Sequence, residues 1–215
     1  NYSIRNLNAN SHVMYDGTST QVVAAETYGH LTFSNGGSNA KTQAANITVS
    51  GDLYLNTGAT FSSGGYATTL QGNWTNSGNF ESSTGVVILN GAGKIISGNT
   101  TFNRVTVNGS YIVAGSNINY NNTLLVNTGA SYDAGSGIAN LSGDLYNSGP
   151  LISNGTTNFT GTTLQTIRLL NALVSTSTGV VNFNGSVSPV LNSTSTPTFA
   201  TLNINNTQGV NPSVN

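Results

Sequence analysis

Apolar and polar residues alternate along most of this chain in short runs, and turn-forming residues separate the runs. The stretch 46–61, NITVSGDLYLNTGATF, shows the pattern, with apolar side chains at every second position between Gly, Asn and Asp. Period-two alternation bounded by turn residues predicts short β-strands with one buried face. This stretch has no helical period, so the pattern predicts an all-β protein.

One pattern of three parts occurs three times, in residues 12–35, 85–108 and 179–206. Each copy opens with an apolar alternation ending in Asp-Gly or Asn-Gly, continues with an apolar pair, and closes with an aromatic residue that leads a second alternation. These closing parts are Tyr28 with Leu31 and Phe33, Phe102 with Val105 and Val107, and Phe199 with Leu202 and Ile204. Repetition of this kind indicates a structural module.

A second repeat, which we call the long repeat, appears when the sequence is compared with itself so that Asn46 falls on Asn117. The stretch 46–78 then matches 117–149 with 13 identities in 33 positions, including the phrase Asn-Thr-Gly-Ala in both copies. Apolar positions are kept where identity is lost, since Trp74 aligns with Leu145 and Phe61 with Tyr132. The repetition exceeds what shared composition would produce.

A shorter period lies inside the long repeat. Apolar-x-Gly turns recur with their glycines at Gly51, Gly72, Gly91 and Gly109, so the positions of neighbouring glycines differ by 21, 19 and 18. These steps fit one coil of a parallel β-solenoid, in which successive coils lie about 4.8 Å apart. We therefore predict a β-solenoid (β-helix) of about ten coils over residues 1–215, with a β-sandwich or jelly roll as the alternative.

The spacing slips in two places, between Val107 and Tyr120 and near Thr163 to Ser177, and both stretches predict an irregular coil or a loop leaving the stack. Elsewhere, Thr, Ser and Asn suit the outward positions of the coils. Asn and Gly at the corners tolerate left-handed backbone, and stacked Asn side chains are expected to bond between coils. The chain ends show no atypical capping repeat, so we expect one segment of a longer array.

Composition narrows the function classes. Charged residues make up 5% of the chain and the net charge is -1, against about 25% charged residues in an ordinary soluble domain. No basic stripe is available for phosphates, so nucleic acid is not an expected partner. Cysteine is absent and the apolar runs are too short for membrane insertion. The Thr/Ser/Asn-rich composition favours a secreted or cell-surface protein.

Candidate chemistry is sparse. The acidic residues are Asp16, Glu26, Asp52, Glu81, Asp133 and Asp144, and they are scattered singly rather than repeated in equivalent positions. His12 and His30 lack the partner spacing of a zinc site. The sequence thus predicts a protein that is not an enzyme, with no catalytic, cofactor-binding or metal residues and no cofactor.

Aromatic residues offer one binding hypothesis. Tyr54, Tyr66, Trp74, Tyr111, Tyr120, Tyr132 and Tyr146 are candidates for a carbohydrate-binding face. Aromatic rings stack on sugars, but they also fill solenoid cores, and we favour stacking in or over the core.

The phrases GDLYLNTGATF and LQGNWTNSGNF, with the three-part module, resemble repeat regions of very large secreted surface proteins of Bacteroidota. Those regions are similar to filamentous-haemagglutinin-like β-helix adhesins. The resemblance covers residues 13–206 and rests on packing and turn residues. It implies export by the type IX route and a role in adhesion, gliding or the extracellular matrix.

Together these observations predict a noncatalytic structural or adhesive segment, a stalk or filament rod, of an extracellular or cell-surface protein. The expected partners are neighbouring repeats of the same protein, with self-association or surface glycans as further candidates. The alternative is a carbohydrate-binding or accessory module of a glycan-degrading β-helix enzyme.

Overall fold

The computed structural model describes residues 7–212, and this part of the chain consists of short β-strands joined by turns, without a helix. The strands are β1 (His12–Tyr15), β2 (Gln21–Val23), β3 (Thr27–Tyr28), β4 (His30–Phe33), β5 (Lys41–Gln43), β6 (Ile47–Val49), β7 (Leu53–Leu55), β8 (Thr60–Ser62), β9 (Ala67–Leu70), β10 (Trp74–Asn76), β11 (Asn79–Glu81), β12 (Val86–Leu89), β13 (Lys94–Ser97), β14 (Thr100–Val107), β15 (Ser110–Val113), β16 (Asn117–Val126), β17 (Ser131–Asp133), β18 (Ile138–Leu141), β19 (Asp144–Asn147), β20 (Leu151–Ser153), β21 (Thr156–Phe159), β22 (Thr166–Leu169), β23 (Leu173–Ser175), β24 (Val180–Phe183), β25 (Val190–Ser193), β26 (Thr201–Ile204) and β27 (Asn211–Pro212).

The strands form three faces of a parallel β-solenoid. The first face is a nine-stranded sheet in the order β1-β4-β7-β10-β13-β15-β17-β20-β23. The second face begins with β2, β5, β8 and β11 and continues with the first half of β14, the first half of β16, β18, β21, β24 and β26. The third face contains β3, β6, β9, β12, the second halves of β14 and β16, β19, β22, β25 and β27.

All pairings between these strands are parallel, which confirms the predicted solenoid of about ten coils and excludes the antiparallel sandwich. The coils differ in length. A short coil leads from Ile95 to its partner Ile112, and a long one leads from Thr156 to its partner Val180. The length varies mainly because the turns between faces differ in size.

The predicted glycine series forms a column at one corner of the solenoid. A Cβ added at Gly72 would lie 2.1 Å from the carbonyl oxygen of Gly51, and one at Gly109 would lie 1.9 Å from that of Gly91. These glycines do not have the left-handed backbone that the sequence suggested. They are required because each coil passes over the carbonyl of the coil below too closely for a side chain.

The three copies of the module each begin on a different face. The opening alternations form β1 on the first face, β12 on the third and β24 on the second. In each copy the closing alternation pairs directly on the opening one, as β4 on β1, β14 on β12 and β26 on β24. The module is therefore one complete coil plus the first strand of the next.

The long repeat is likewise out of phase with the coils. Leu53 lies in β7 on the first face, whereas its match Leu124 lies in the second half of β16 on the third face. The Asn-Thr-Gly-Ala turns keep their conformation at these different corners. Their central glycines have φ of 78° and 82°, and the last residue donates to the Asn carbonyl at 3.0 Å in both.

The two stretches where the spacing slips remain in the stack as irregular coils, so of the two predicted outcomes the irregular coil is found and the loop leaving the stack is wrong. Between residues 100 and 126, strands β14 and β16 run across both the second and third faces without a separate corner. Their register shifts once, between Phe102 and Arg104. The residues around 163–177 also remain paired, through β22 and β23. The irregular spacing reflects a missing corner or a longer turn, while the coil pairing continues.

Aromatic side chains form a column inside the solenoid. Phe33 stacks on Phe61 with ring centroids 4.2 Å apart, and Phe61, Phe80 and Phe102 follow at 5.5 and 5.8 Å. Most of these rings are fully buried. Because one ring follows another along the axis, the core is continuous between coils and is not divided into separate clusters.

Candidate functional site

A ladder of asparagine side chains runs along the outside of the second face. The amide of each residue donates to the amide oxygen of the residue one coil earlier, at 2.7–2.8 Å. The ladder consists of Asn203, Asn182, Asn158, Asn140 and Asn119, and Asn119 Nδ2 finally donates to Thr101 Oγ1 at 3.0 Å. This arrangement confirms the predicted stacking of Asn between coils. All five amides point the same way along the axis.

At the end of this ladder the second face is interrupted. Strand β11 pairs with β8 of the preceding coil, and the first half of β14 pairs with β16 of the following coil. No pairing joins β11 to β14 in the described chain. The other two faces continue across the same level, because β10 pairs with β13 and β12 with β14. The interruption coincides with the first coil that lacks a corner between the second and third faces.

A groove of about 520 Å³ lies at this interruption, and we call it the seam groove. It is lined by Asn76, Gly78, Asn79, Phe80, Asn99, Thr100, Thr101, Asn117, Asn119 and Asn140. These residues come from four successive coils, and none of them is charged. Amides and hydroxyls thus dominate the walls, and Phe80 is the one aromatic residue among them.

The two histidines lie side by side in adjacent coils, since His12 pairs with His30 in β1 and β4. His12 Nε2 lies 2.5 Å from Thr32 Oγ1. His30 Nδ1 accepts a hydrogen bond of 3.0 Å from the Asp52 backbone N–H and lies 3.6 Å from the carboxylate. In a neutral His30 the proton is therefore on Nε2, an arrangement that holds a turn and leaves no free ring nitrogen to bind a metal.

The sequence Ser-Gly-Asp-Leu-Tyr occurs twice, at residues 50–54 and 142–146. It places Asp52 and Asp144 in the same local structure on different faces. Each carboxylate accepts from the tyrosine two residues later, Tyr54 at 3.1 Å and Tyr146 at 3.3 Å. Each also accepts at 2.7 Å from a backbone N–H of the next coil. Burial first, and the neighbouring carboxylate second, raise the pKa of both tyrosines. These acids act as turn-fixing acceptors.

The remaining acids do not converge. Asp133 accepts from the amide of Asn154 and from the Gly135 N–H. Asp16 and Glu81 are exposed at separate places, and Glu26 is half-buried. Within residues 7–212, no three side chains among His, Asp and Glu come together in a group that could hold a metal ion.

The seven aromatic candidates separate into two sets. Trp74, Tyr111, Tyr120 and Tyr132 are at most 1% exposed, so the preferred interpretation as core residues is confirmed for them. Tyr54 lies on the first face and Tyr146 on the third, and Tyr66 lies at a turn. Because the three outer rings lie on different sides, they do not form the carbohydrate-binding face that the sequence suggested.

Several buried polar groups were not found from the sequence. Lys41 is fully buried in β5, where its ammonium donates to the carbonyls of Gly17 and Asn35, both at 2.8 Å. Burial lowers the pKa of Lys41, and the negative charge of Asp16 opposes this shift. The alternation of β5 does place residue 41 inward, but the carbonyls it serves are set by two distant turns.

Two equivalent corners are closed by unrelated side chains. The hydroxyl of Tyr111 lies 3.0 and 3.1 Å from the carbonyls of Leu70 and Gly72. At the matching positions of the long repeat, the carbonyls of Leu141 and Gly143 are bound by the Gln165 amide at 2.9 and 2.5 Å. Burial raises the pKa of Tyr111 to about 12. Each side chain bridges two carbonyls of one turn, and in each turn the leucine carbonyl also accepts a backbone N–H of the next coil at 2.8 Å.

A hydroxyl pair lies deeper in the core, between Tyr120 and Tyr132. Both residues are about 1% exposed, and burial raises the pKa of each well above its ordinary value. These hydroxyls stay protonated at neutral pH and bond to one another, so they satisfy the polar ends of two core rings.

Comparison with known proteins gives no relative to guide the assignment. No family model, no curated protein and no solved structure matches this chain. Between residues 7 and 212 the fold also contains no helix that is long and apolar enough to span a membrane.

Proposed function

We propose that this chain is a noncatalytic structural segment, a stalk or rod, of an extracellular or cell-surface protein that serves adhesion. The observation that carries the proposal is the continuity of the coil pairing. The first face alone holds nine strands in one sheet, and the third face continues to β27. About ten coils at about 4.8 Å per coil give a length of about 45 Å.

Continuity matters mechanically because force along the axis is carried across every coil by the pairing of the first and third faces, and by that of the second face on either side of its interruption. The Asn ladder and the aromatic column add side-chain contacts between the same coils. The low charge of the sequence supports a role that does not depend on ionic partners. The resemblance of the sequence repeats to those of secreted surface proteins supports the proposed extracellular or cell-surface location.

The experiment has two parts. Antibodies against this segment are applied to intact cells that produce the protein, and the full-length protein is imaged by electron microscopy with the same antibodies as markers. We expect labelling of unbroken cells and a thin rod marked along its length. Labelling that requires broken cells, or a compact particle in place of a rod, would contradict the proposal.

A further inference from the structure

We propose that the seam groove binds a neutral oligosaccharide, with Asn79, Asn99 and Thr101 donating hydrogen bonds to its ring and hydroxyl oxygens. This site differs from the aromatic face considered from the sequence. It goes beyond the rod function, which needs no ligand.

The side chains of the groove present unused donors. Asn99 Oδ1 accepts from the Asn117 backbone N–H at 2.9 Å, so the two amide hydrogens of Asn99 remain available. The Asn79 side chain is exposed and has no hydrogen-bond partner among residues 7–212. Thr101 Oγ1 already accepts from Asn119, so its own hydrogen is directed elsewhere.

The asparagine ladder strengthens the donor at Thr101. Five amides point in one direction, each donating toward the N-terminal coils, and the series ends on this hydroxyl. Aligned hydrogen bonds polarise one another, by about 10–30% per bond. The last hydroxyl of such a series is a better donor than an isolated threonine, as the N–H groups at a helix N-terminus are.

Backbone groups also face the groove. Asn79 N–H and Glu81 C=O bond to the coil below, at 2.9 and 3.0 Å, so the peptide groups of Phe80 between them point to the opposite side. The Asn99 carbonyl points toward the preceding coil, where it accepts from the Asn76 side-chain amide at 2.9 Å. Backbone direction repeats at every second residue of a strand, so the N–H and C=O of Thr101 point toward the preceding coil as well. The groove therefore offers backbone donors and acceptors in addition to its side chains.

The geometry excludes an inserted peptide strand. An added strand needs twice the normal spacing of about 4.8 Å between β11 and β14. The paired strands on the other two faces hold these coils at a single spacing, and the rings of Phe80 and Phe102 are 5.8 Å apart. The ligand must lie in the groove from outside.

The chemistry selects an uncharged, hydroxyl-rich ligand. No lining residue is charged, so an anion would find no cation to pair with. Glu81 points to the same side of β11 as Asn79 and places a negative charge near the rim. Amide and hydroxyl groups match sugar hydroxyls, which both donate and accept. The groove crosses four coils, about 14 Å, which suits a short oligosaccharide.

The test is isothermal titration calorimetry of the whole chain with four probes: cello-, manno- and chito-oligosaccharides and, as the acidic probe, oligogalacturonate. We expect at least one neutral probe to bind and oligogalacturonate to bind more weakly or not at all. Thr101→Val removes the central donor with little change of shape and should lower the affinity about tenfold. The matched control Thr106→Val lies on the same strand but on the third face, and should leave the affinity unchanged.

Two more variants separate the site from folding defects. Asn79→Ala removes a side chain without structural bonds and should weaken binding several-fold while the thermal midpoint stays the same. Asn182→Ala breaks the ladder several coils away from Thr101 and should weaken binding about twofold. The proposal is overturned if no neutral probe binds, if oligogalacturonate binds most tightly, or if Thr106→Val weakens binding as much as Thr101→Val. Such a failure leaves the rod proposal standing, because surface labelling and rod shape are measured without any ligand.

Discussion

Residues 46–78 and residues 117–149 share their sequence pattern but occupy different faces of the solenoid. In the first stretch, the residues around Leu53 and Trp74 lie on the first face; in the second, their matches Leu124 and Leu145 lie on the third. The turns, inward positions and backbone contacts are nevertheless shared by the two. This sequence therefore encodes a strand-and-turn unit that fits any corner, and the coils are assembled from such units.

The largest effect is expected at the paired glycines Gly72 and Gly143. A Cβ at Gly72 would lie 2.1 Å from the Gly51 oxygen, and one at Gly143 would lie 1.6 Å from the Asn122 oxygen. Alanine at either position must push two coils apart, so each variant should lose about 3 kcal/mol or more of unfolding free energy. Urea denaturation of the two single variants measures the loss.

The matched controls are Gly58→Ala and Gly129→Ala in the shared turn. Nothing lies within 4 Å of a Cβ at these positions, and the only cost is the left-handed backbone. We expect each to lose about 1 kcal/mol. Equal losses at all four glycines would show that the two corners are not close approaches between coils.

A smaller and unequal effect is expected at the inward asparagines Asn76 and Asn147. Both amides donate at 2.9 Å to a carbonyl of the next coil. Asn76 Oδ1 also accepts from Gly78 N–H, whereas Asn147 Oδ1 is buried without a partner. Asn76→Ala should therefore lose about 2 kcal/mol and Asn147→Ala about 1 kcal/mol, measured by the same denaturation. The reverse order would contradict the unequal pairing of the two sites.

The corner closed by Tyr111 should be sensitive to alkaline pH, and the corner closed by Gln165 should not. Burial raises the pKa of Tyr111 to about 12, above its unfolded value of about 10. The unfolded chain therefore loses this proton first, so stability is full below about pH 10 and falls as the pH rises toward 12. Tyr111→Phe should remove part of this slope, and the other tyrosines with a raised pKa, Tyr54, Tyr120, Tyr132 and Tyr146, should retain the rest. An unchanged slope in Tyr111→Phe would contradict the burial of this hydroxyl.

The smallest effect concerns salt. Among residues 7–212, His30 and Asp52 form the one close contact between a basic and an acidic side chain. The free energy of unfolding should change by less than about 0.5 kcal/mol between low salt and molar NaCl, since exposed ion pairs contribute little and are screened. A larger salt dependence would indicate that charge stabilises the coils.

Much of this fold could be predicted because its determinants are local. Alternation identified the strands, the glycine steps identified the coil, and Asn-rich outward positions indicated the ladder. The face that each unit occupies was not predictable, because the turns after Asn56 and Asn127 have one conformation at two corners. The inward role of Lys41 depends on carbonyls from two separate turns, which no local pattern reveals.

The seam groove was not predictable for a similar reason. Its residues are ordinary Asn, Thr and Gly, which the sequence contains throughout. The groove exists because β11 and β14 fail to pair where the corner between two faces disappears. Such a site arises from a mismatch between neighbouring coils, and the residue pattern of a single strand does not predict it.

The most direct test of the shift in phase between the long repeat and the coils is disulfide trapping between β14 and β16. The chain has no native cysteine that would interfere. Thr106 and Leu125 are outward partners on the third face, so the double cysteine variant should form a disulfide on mild oxidation. If the long repeat kept its phase, residue 125 would instead lie on the first face above Ile112. We expect a disulfide in the Thr106→Cys/Leu125→Cys variant and none in the Ile112→Cys/Leu125→Cys variant. The opposite result would show that the long repeat keeps its phase and that Leu125 does not lie on the third face.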